Sequence, residues 1–430
     1  MEQLGLNIEL LPNPIKITVG NKSVTFKDRS SIDDYGSLLK ELYPEHQQEI
    51  DHILKDIKKV MEHMDVLYGI ENPLFMSKPY DYAYMLKTLL PWMVKFVLNI
   101  RQAMKLLEPI NDHLRRITDN ESLIHIITQH FFENTPTFFA LSYFSLYLDY
   151  QYPRGSTQVI VDSMVELIQD NQGQIINGHE VVHIDTSNRQ VWLKEGQNVT
   201  YNQLIWAADL NTLYKCLDAE QWPSSPLKEK VQQKQNFLAT KKGADSVLSL
   251  YIIVDQPPER FESISGPHAF YTPTSEGMSG ISLSTLMDNQ MTFTSSRDKI
   301  FGWLKTFFKQ NTYEISIPAL RDPSLSPPGE TALIVSVLFD YKLTKHIADL
   351  GLFEEFKTSV TEMIVSNIEL LFYDLSNHII KTVLTTPLTI ANKTNNTEGS
   401  LTGWSFANQP FPAEYRFLKI SQSVITPIDE

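Results

Sequence analysis

Between Tyr152 and Gln158 the sequence reads YPRGSTQ, and the chain has a different periodicity on either side of it. Pro153 removes a backbone donor and fixes φ, while Gly155 favours conformations that other residues avoid, so no regular element runs through this point. Upstream, Ile50, Ile53, Leu54, Ile57, Met61 and Met64 recur at helical spacing with charged residues between them, which predicts an amphipathic helix. The segment from about 30 to 150 reads as helical. Before it, residues 15 to 27 alternate β-branched and polar residues around Gly-Asn, the pattern of a β-hairpin.

Downstream the order is turn, helix, strand, hairpin, strand. Ser156 or Thr157 is placed to cap a helix whose apolar stripe is Val161, Met164, Val165 and Ile168, and Gly173 ends it. Next come QIIN, the strand EVVHI, the polar turn DTSNRQ, the strand VWL and a buried strand LIWAA from Leu204 to Ala208. From about 216 onward strands such as VLSLYIIV and TALIVSVLF alternate with helices near 297–309 and 352–374. The closing ISQSVITPIDE reads as a strand entering a turn.

A chain of 430 residues exceeds one ordinary core, so two domains are expected. With 42% hydrophobic and 20% charged residues it is a globular composition. The net charge of -14 opposes a nucleic-acid groove, since phosphate binding needs clustered Lys and Arg. One cysteine, Cys216, excludes an internal disulfide and reads as a small buried hydrophobe. The N-terminus lacks the basic start and apolar core of a signal peptide, so a cytoplasmic location is expected. The longest apolar stretches, LLPWMVKFVLNI and TFFALSYFSLYL, fall short of the ~20 residues of a membrane span. The first has two readings, ordinary burial or a peripheral contact in a membrane interface with Lys95 reaching out. Trp92, Phe96, Phe138, Phe139, Tyr143, Phe144 and Tyr147 form either core or the wall of an apolar ligand tunnel.

HEVVH, His179 to His183, matches a zinc-protease pattern that requires a helix. Gly178 precedes it, two valines fill it and DTSN follows, so it reads as a strand. Histidines four apart on a strand stand roughly 13 Å from each other, too far to share one zinc. A zinc hydrolase is thus the remote alternative, and no metal is expected. The sequence has no GxSxG, GxxxxGK[ST] or GxGxxG.

The stretches YPRGS, Val181 to Ile184 and AADLNTLY resemble, in order, the middle of the phytoene desaturase, carotenoid isomerase and retinol saturase family of flavoproteins. There a YPxGG turn leads into a helix, a V-x-x-[IM] strand and a strand ending near "NAD". RDPSLSPPGE and TNNTEGSLTGW resemble two later segments of the same family. Three features depart from it: the opening GxGxxG turn and the closing glycine-rich turn have no counterpart here, and Ser156 stands where the family has a second glycine.

The resemblance implies an α/β (α+β) fold: a partial, discontinuous FAD/NAD(P)-binding Rossmann-like domain, a larger mixed substrate domain and a helical subregion. Residues 1–150 are then the hairpin and helices of the substrate domain, 151–215 the FAD-binding segment, 216–415 the strands and helices of the substrate domain, and 416–430 the start of a truncated second FAD segment. It implies FAD as cofactor, with Gly155 letting backbone pass close to the flavin, Val181 facing the adenine, and Ala207 and Ala208 letting a strand end approach the cofactor. The implied activity is desaturation, saturation or isomerisation of a long apolar polyene by an enzyme incomplete as written. The alternative is a remnant or apolar-ligand-binding module without cofactor. No carboxylate or histidine pair stands out by spacing as a catalytic acid or base.

Overall fold

A computed structural model describes residues 4–70, 82–128, 130–217, 219, 222 and 224–407. The hairpin is present: β2 (Ile15–Val19) and β3 (Lys22–Phe26) pair antiparallel with Val19 opposite Lys22, turning at Gly20, whose φ is +59°. It is one edge of a seven-stranded mixed sheet ordered β12-β8-β11-β10-β9-β2-β3, where β8 is Ser246–Val254, β9 His268–Thr272, β10 Tyr313–Ser316, β11 Thr331–Phe339 and β12 Ile379–Thr385. β2 and β9 run parallel, with Ile15 opposite His268. The chain is therefore α/β with a mixed sheet.

The chain divides into two compact units. The first comprises Met1–Met164, Ser249–Val337 and His346–Leu384. It holds this sheet, apart from the ends of β8, β11 and β12, and most of the helices. β8 and β11 show why period two makes a two-faced sheet: Leu250, Ile252, Leu333 and Val335 are buried on one side, while Ser249 and Ser336 meet on the other with their hydroxyl oxygens 2.7 Å apart. The helix Gln47–Leu67 buries Ile50, Ile53, Leu54, Ile57, Met61 and Met64, the stripe its spacing predicts, and Val60 besides. Phe26, Tyr35, Phe144 and Tyr147 knit hairpin and helices together, with ring centroids 5.5 to 6.0 Å apart in edge and tilted pairings. A small ribbon completes the unit: β1 (Leu10–Pro12) pairs antiparallel with β4 (Gln151–Pro153).

The second unit comprises Val165–Leu248, Leu338–Lys345 and Thr385–Glu430. Its sheet is an antiparallel meander of β5 (Val181–Asp185), β6 (Gln190–Leu193) and β7 (Asn198–Thr200), with a bulge between Val181 and His183. Ile184, Leu213, Tyr214, Cys216, Val231 and Leu238 form its core. Burial pushes the Cys216 thiol up, as for an inert small hydrophobe.

Two sequence expectations need correction. QIIN and LIWAA are not strands: residues 174–177 and 204–208 are irregular, and Ile205 is 90% exposed. In the second run Leu204 and Trp206 pack on the core while their neighbours turn outward, so alternate residues are anchored without a ladder partner. The expected helix is present as Gln158–Asp170, and on its apolar stripe Val165 is half-buried while Val161, Met164 and Ile168 are exposed. The closing ISQSVITPIDE, and with it the segment 416–430, lies outside the described residues. Among the described residues no helix is long and apolar enough to cross a membrane.

Candidate functional site

The YPRGS turn leaves β4 with two successive residues in the left-handed region, Gly155 at φ +80° and Ser156 at φ +81°. A serine there adopts the conformation glycine adopts most readily, so the backbone keeps the shape of the YPxGG turn although the residue differs. A Cβ on Gly155 would lie 2.8 Å from Val159 Cγ2, which ties the glycine to the packing of the helix that follows. Its N–H donates to Asp322 Oδ2 at 2.8 Å. Asp322 is buried and also accepts from Ser324 N and Oγ, and these bonds, the Ser324 hydroxyl first, hold its carboxyl below the ordinary range. Beside it the Arg321 guanidinium lies 4.0 Å from the Tyr152 ring centroid and donates to Asn13 Oδ1, Pro267 O and Ser316 Oγ. YPRGS and RDPS, widely separated in sequence, are one structural joint.

In the second unit AADLNTLY and TNNTEGS make a similar joint. Asp209 Oδ1 caps the helix Leu210–Cys216 by accepting from Thr212 N at 2.8 Å, and its Oδ2 accepts from Thr397 N at 2.9 Å. Asn211 Nδ2 donates to Thr397 Oγ1 at 3.0 Å. Gly399, at φ +61°, fits where a Cβ would lie 2.4 Å from Pro387 O. Neither aspartate is visible through spacing; the signals that point to them are the Asp-Pro-Ser turn and Asp-x-x-Thr at a helix start.

The four residues expected at a cofactor fall in different places. Gly155 is in the first unit, and Val181, Ala207 and Ala208 are in the second. Val181 is half-buried at the start of β5, with its carbonyl oxygen 3.5 Å from Cys216 Sγ. Ala207 and Ala208 are exposed in the irregular run, not at a strand end. The Gly155 N–H is already given to Asp322 and is not free for a ligand.

HEVVH does not coil. His183 lies in β5 opposite Trp192, and His179 precedes the strand with Nδ1 3.4 Å from Glu195 Oε2. The two imidazoles therefore do not share a helix face.

Within the first unit, the face of the sheet opposite Val335 and Leu333 carries a titratable cluster that spacing does not reveal. Glu314 lies opposite Phe270 on one side and Ser336 on the other. Its Oε1 is 2.9 Å from His268 Nε2, and His268 Nδ1 lies 3.2 Å from Asn13 Nδ2. His130 Nε2 meets the Tyr147 hydroxyl at 2.7 Å and its ring lies 4.8 Å from Phe270. Tyr150 stands edge-on to His268 at 6.0 Å, and Tyr143 and Tyr147 are 6.1 Å apart.

The Glu314 side chain is 49% exposed by area, yet burial is the largest influence on its titration. Burial alone would raise its pKa; the His268 hydrogen bond, the largest of the opposing influences, helps outweigh it and hold the carboxyl below the ordinary range. Burial drives the other way at His130, pushing it down to about 4, so that imidazole is neutral at physiological pH. Tyr143, Tyr147 and Tyr150 are raised by burial and keep their protons. The result is an ionised carboxylate, hydrogen-bonded to His268, beside the aromatic rings of Tyr143, Tyr147, Tyr150 and Phe270.

No family model and no curated protein matches the sequence. Among solved structures, an oxidoreductase from Methanosarcina mazei is similar in fold, with a TM-score of 0.51 at 9% identity over 94% of this chain and 73% of that one. A putrescine oxidase triple mutant from a redesign of cofactor binding reaches 0.48 at 11% identity over 94% and 73%. A reduced UDP-galactopyranose mutase reaches 0.45 at 10% identity over 89% and 68%. The first likeness is one of fold, and the other two are too distant to add to it.

Proposed function

We propose that this chain belongs to an FAD-dependent oxidoreductase of the desaturase, saturase or isomerase type, acting on a long apolar polyene such as a carotenoid or retinoid-like lipid. The observation that carries this reading is the pairing of its family-like stretches: YPRGS is bonded to RDPS through Gly155 and Asp322, and AADLNTLY to TNNTEGS through Asp209 and Thr397. The fold likeness to an oxidoreductase supports it as well.

FAD, when bound, supplies hydride transfer. Holding the substrate and moving its proton fall to side chains of this chain. The aromatic wall of Tyr143, Tyr147, Tyr150 and Phe270 suits a conjugated apolar chain, which gains contact area without asking for hydrogen bonds. Glu314, kept ionised by His268, is the group placed to take a proton from substrate carbon or return one. The second reading, an apolar-ligand-binding module without cofactor, draws on the exposure of Ala207 and Ala208.

The test is to add FAD and a micellar polyene to the full chain, following polyene uptake by absorbance shift and products by chromatography. The proposal expects both uptake and turnover, with Glu314→Gln lowering turnover about 100-fold or more while uptake persists. Uptake without flavin binding or turnover would favour the binding module. A chain that takes up no polyene sinks both readings.

A further inference from the structure

The helical segment from Tyr82 to Leu106 presents two opposed faces. On one, Trp92, Phe96, Asn99, Ile100 and Ala103 are partly or fully buried, with Trp92 Nε1 donating to Val66 O and Asn99 Oδ1 2.6 Å from His63 Nδ1. On the other, Leu86, Leu90, Met93, Val94, Val97 and Leu98 follow helical spacing and are 45 to 67% exposed. Isolated exposed leucines are ordinary, but six along one helical stripe form a contiguous apolar surface in water.

The charge of the segment says what covers it. Residues 82–107 contain Lys87, Lys95, Arg101 and Lys105 and no acidic residue, in a chain whose net charge is -14. All four basic side chains are exposed. An apolar stripe on a segment whose own charges are all cationic, in a chain of net charge -14, is complementary to an anionic lipid surface: the stripe enters the acyl boundary while the lysines reach the headgroups. The same composition opposes self-association, which would bring the four cations of one copy against those of another. No helix among the described residues is long and apolar enough to cross a bilayer, so the segment lies on the surface.

We propose that the face carrying Leu86, Leu90, Met93, Val94, Val97 and Leu98 is a docking surface for anionic membranes. The assignment is independent of the redox reading, because it requires neither flavin nor polyene.

The full chain is sedimented with phosphatidylcholine vesicles, with or without phosphatidylserine, at low and high salt. The proposal expects binding to the phosphatidylserine vesicles, release by salt, and little binding to neutral ones. Lys95→Glu should weaken binding about fivefold or more, and the double substitution Val94→Asp with Leu98→Asp should abolish it. These positions are exposed, so circular dichroism should show both variants folded. Equal binding to both vesicle types, an unaffected double variant, or no binding by the parent chain would overturn the proposal. So would a vesicle-free dimer, seen in the ultracentrifuge, that the double variant dissociates.

Discussion

Gly155 gives its backbone N–H to Asp322 at 2.8 Å, and this one bond fixes the turn after β4 to the loop after β10. Asp322 is buried, so removing its carboxylate orphans the Gly155 amide and the Ser324 amide together. Asp322→Ala is expected to lower stability by about 2 to 3 kcal/mol, and Asp322→Asn by less, since one oxygen acceptor survives. Urea denaturation read by tryptophan fluorescence measures both. Because the carboxyl is held below its ordinary range, its contribution is complete above the unfolded value near 3.8 and is lost only as the pH falls through its lower folded value.

The two left-handed residues of that turn should respond in opposite directions. Gly155→Ala forces a Cβ against Val159 at positive φ and should destabilise by about 1 to 3 kcal/mol. Ser156→Gly relieves a backbone conformation that costs a non-glycine roughly 1 to 2 kcal/mol, offset by the entropy glycine regains on unfolding. A small gain, about 0.5 kcal/mol, is expected. Thermal melts of the two variants side by side would show the divergence; a loss in Ser156→Gly would mean that its hydroxyl, which accepts from Gln158 N, outweighs the strain.

Asp209 serves two roles at once in the second unit, capping the helix Leu210–Cys216 and anchoring Thr397. Asp209→Ala should cost about 2 kcal/mol, and Asp209→Ser about half as much because the cap alone is rescued. Proteolysis near residues 395–400 should quicken in the first variant more than in the second.

His130 makes stability depend on pH in a defined window. Burial, partly offset by the charge of Glu314, holds it near 4, whereas its unfolded value is 6.5. Between those values the unfolded chain carries a proton that the native chain lacks. Stability is therefore complete above 6.5 and declines as the pH drops, by up to about 1.4 kcal/mol per unit. In His130→Gln, which retains a polar partner for Tyr147, the difference in urea midpoint between pH 6.5 and 4.5 should shrink. An unchanged slope would remove His130 from the account.

Much of the architecture was readable where pattern and packing agree. VLSLYIIV and TALIVSVLF became β8 and β11 because β-branched alternation suits a sheet with one buried face. The helix Gln47–Leu67 buried every residue of its predicted stripe and added Val60. LIWAA failed for a local reason: Asp209 starts a helix directly after it and Trp206 Nε1 donates to Asp209 O, so the run is held as an irregular lead-in. The stripe of Gln158–Asp170 shows that helical spacing reports amphipathicity, not the presence of something to pack against. Glu314 and His268 were invisible because β9 and β10 bring them together across the sheet, and neither has a telling neighbour in sequence.

The parallel pairing of β2 with β9 sets an order on synthesis. Ile15 finds its ladder partner only when His268 has emerged, so for roughly tens of seconds of translation the hairpin offers an unsatisfied edge to whatever is nearby. During that interval the newborn N-terminal hairpin needs shielding. A ribosome stalled short of β9 would hold a chain whose first strands are primed to join the wrong sheet.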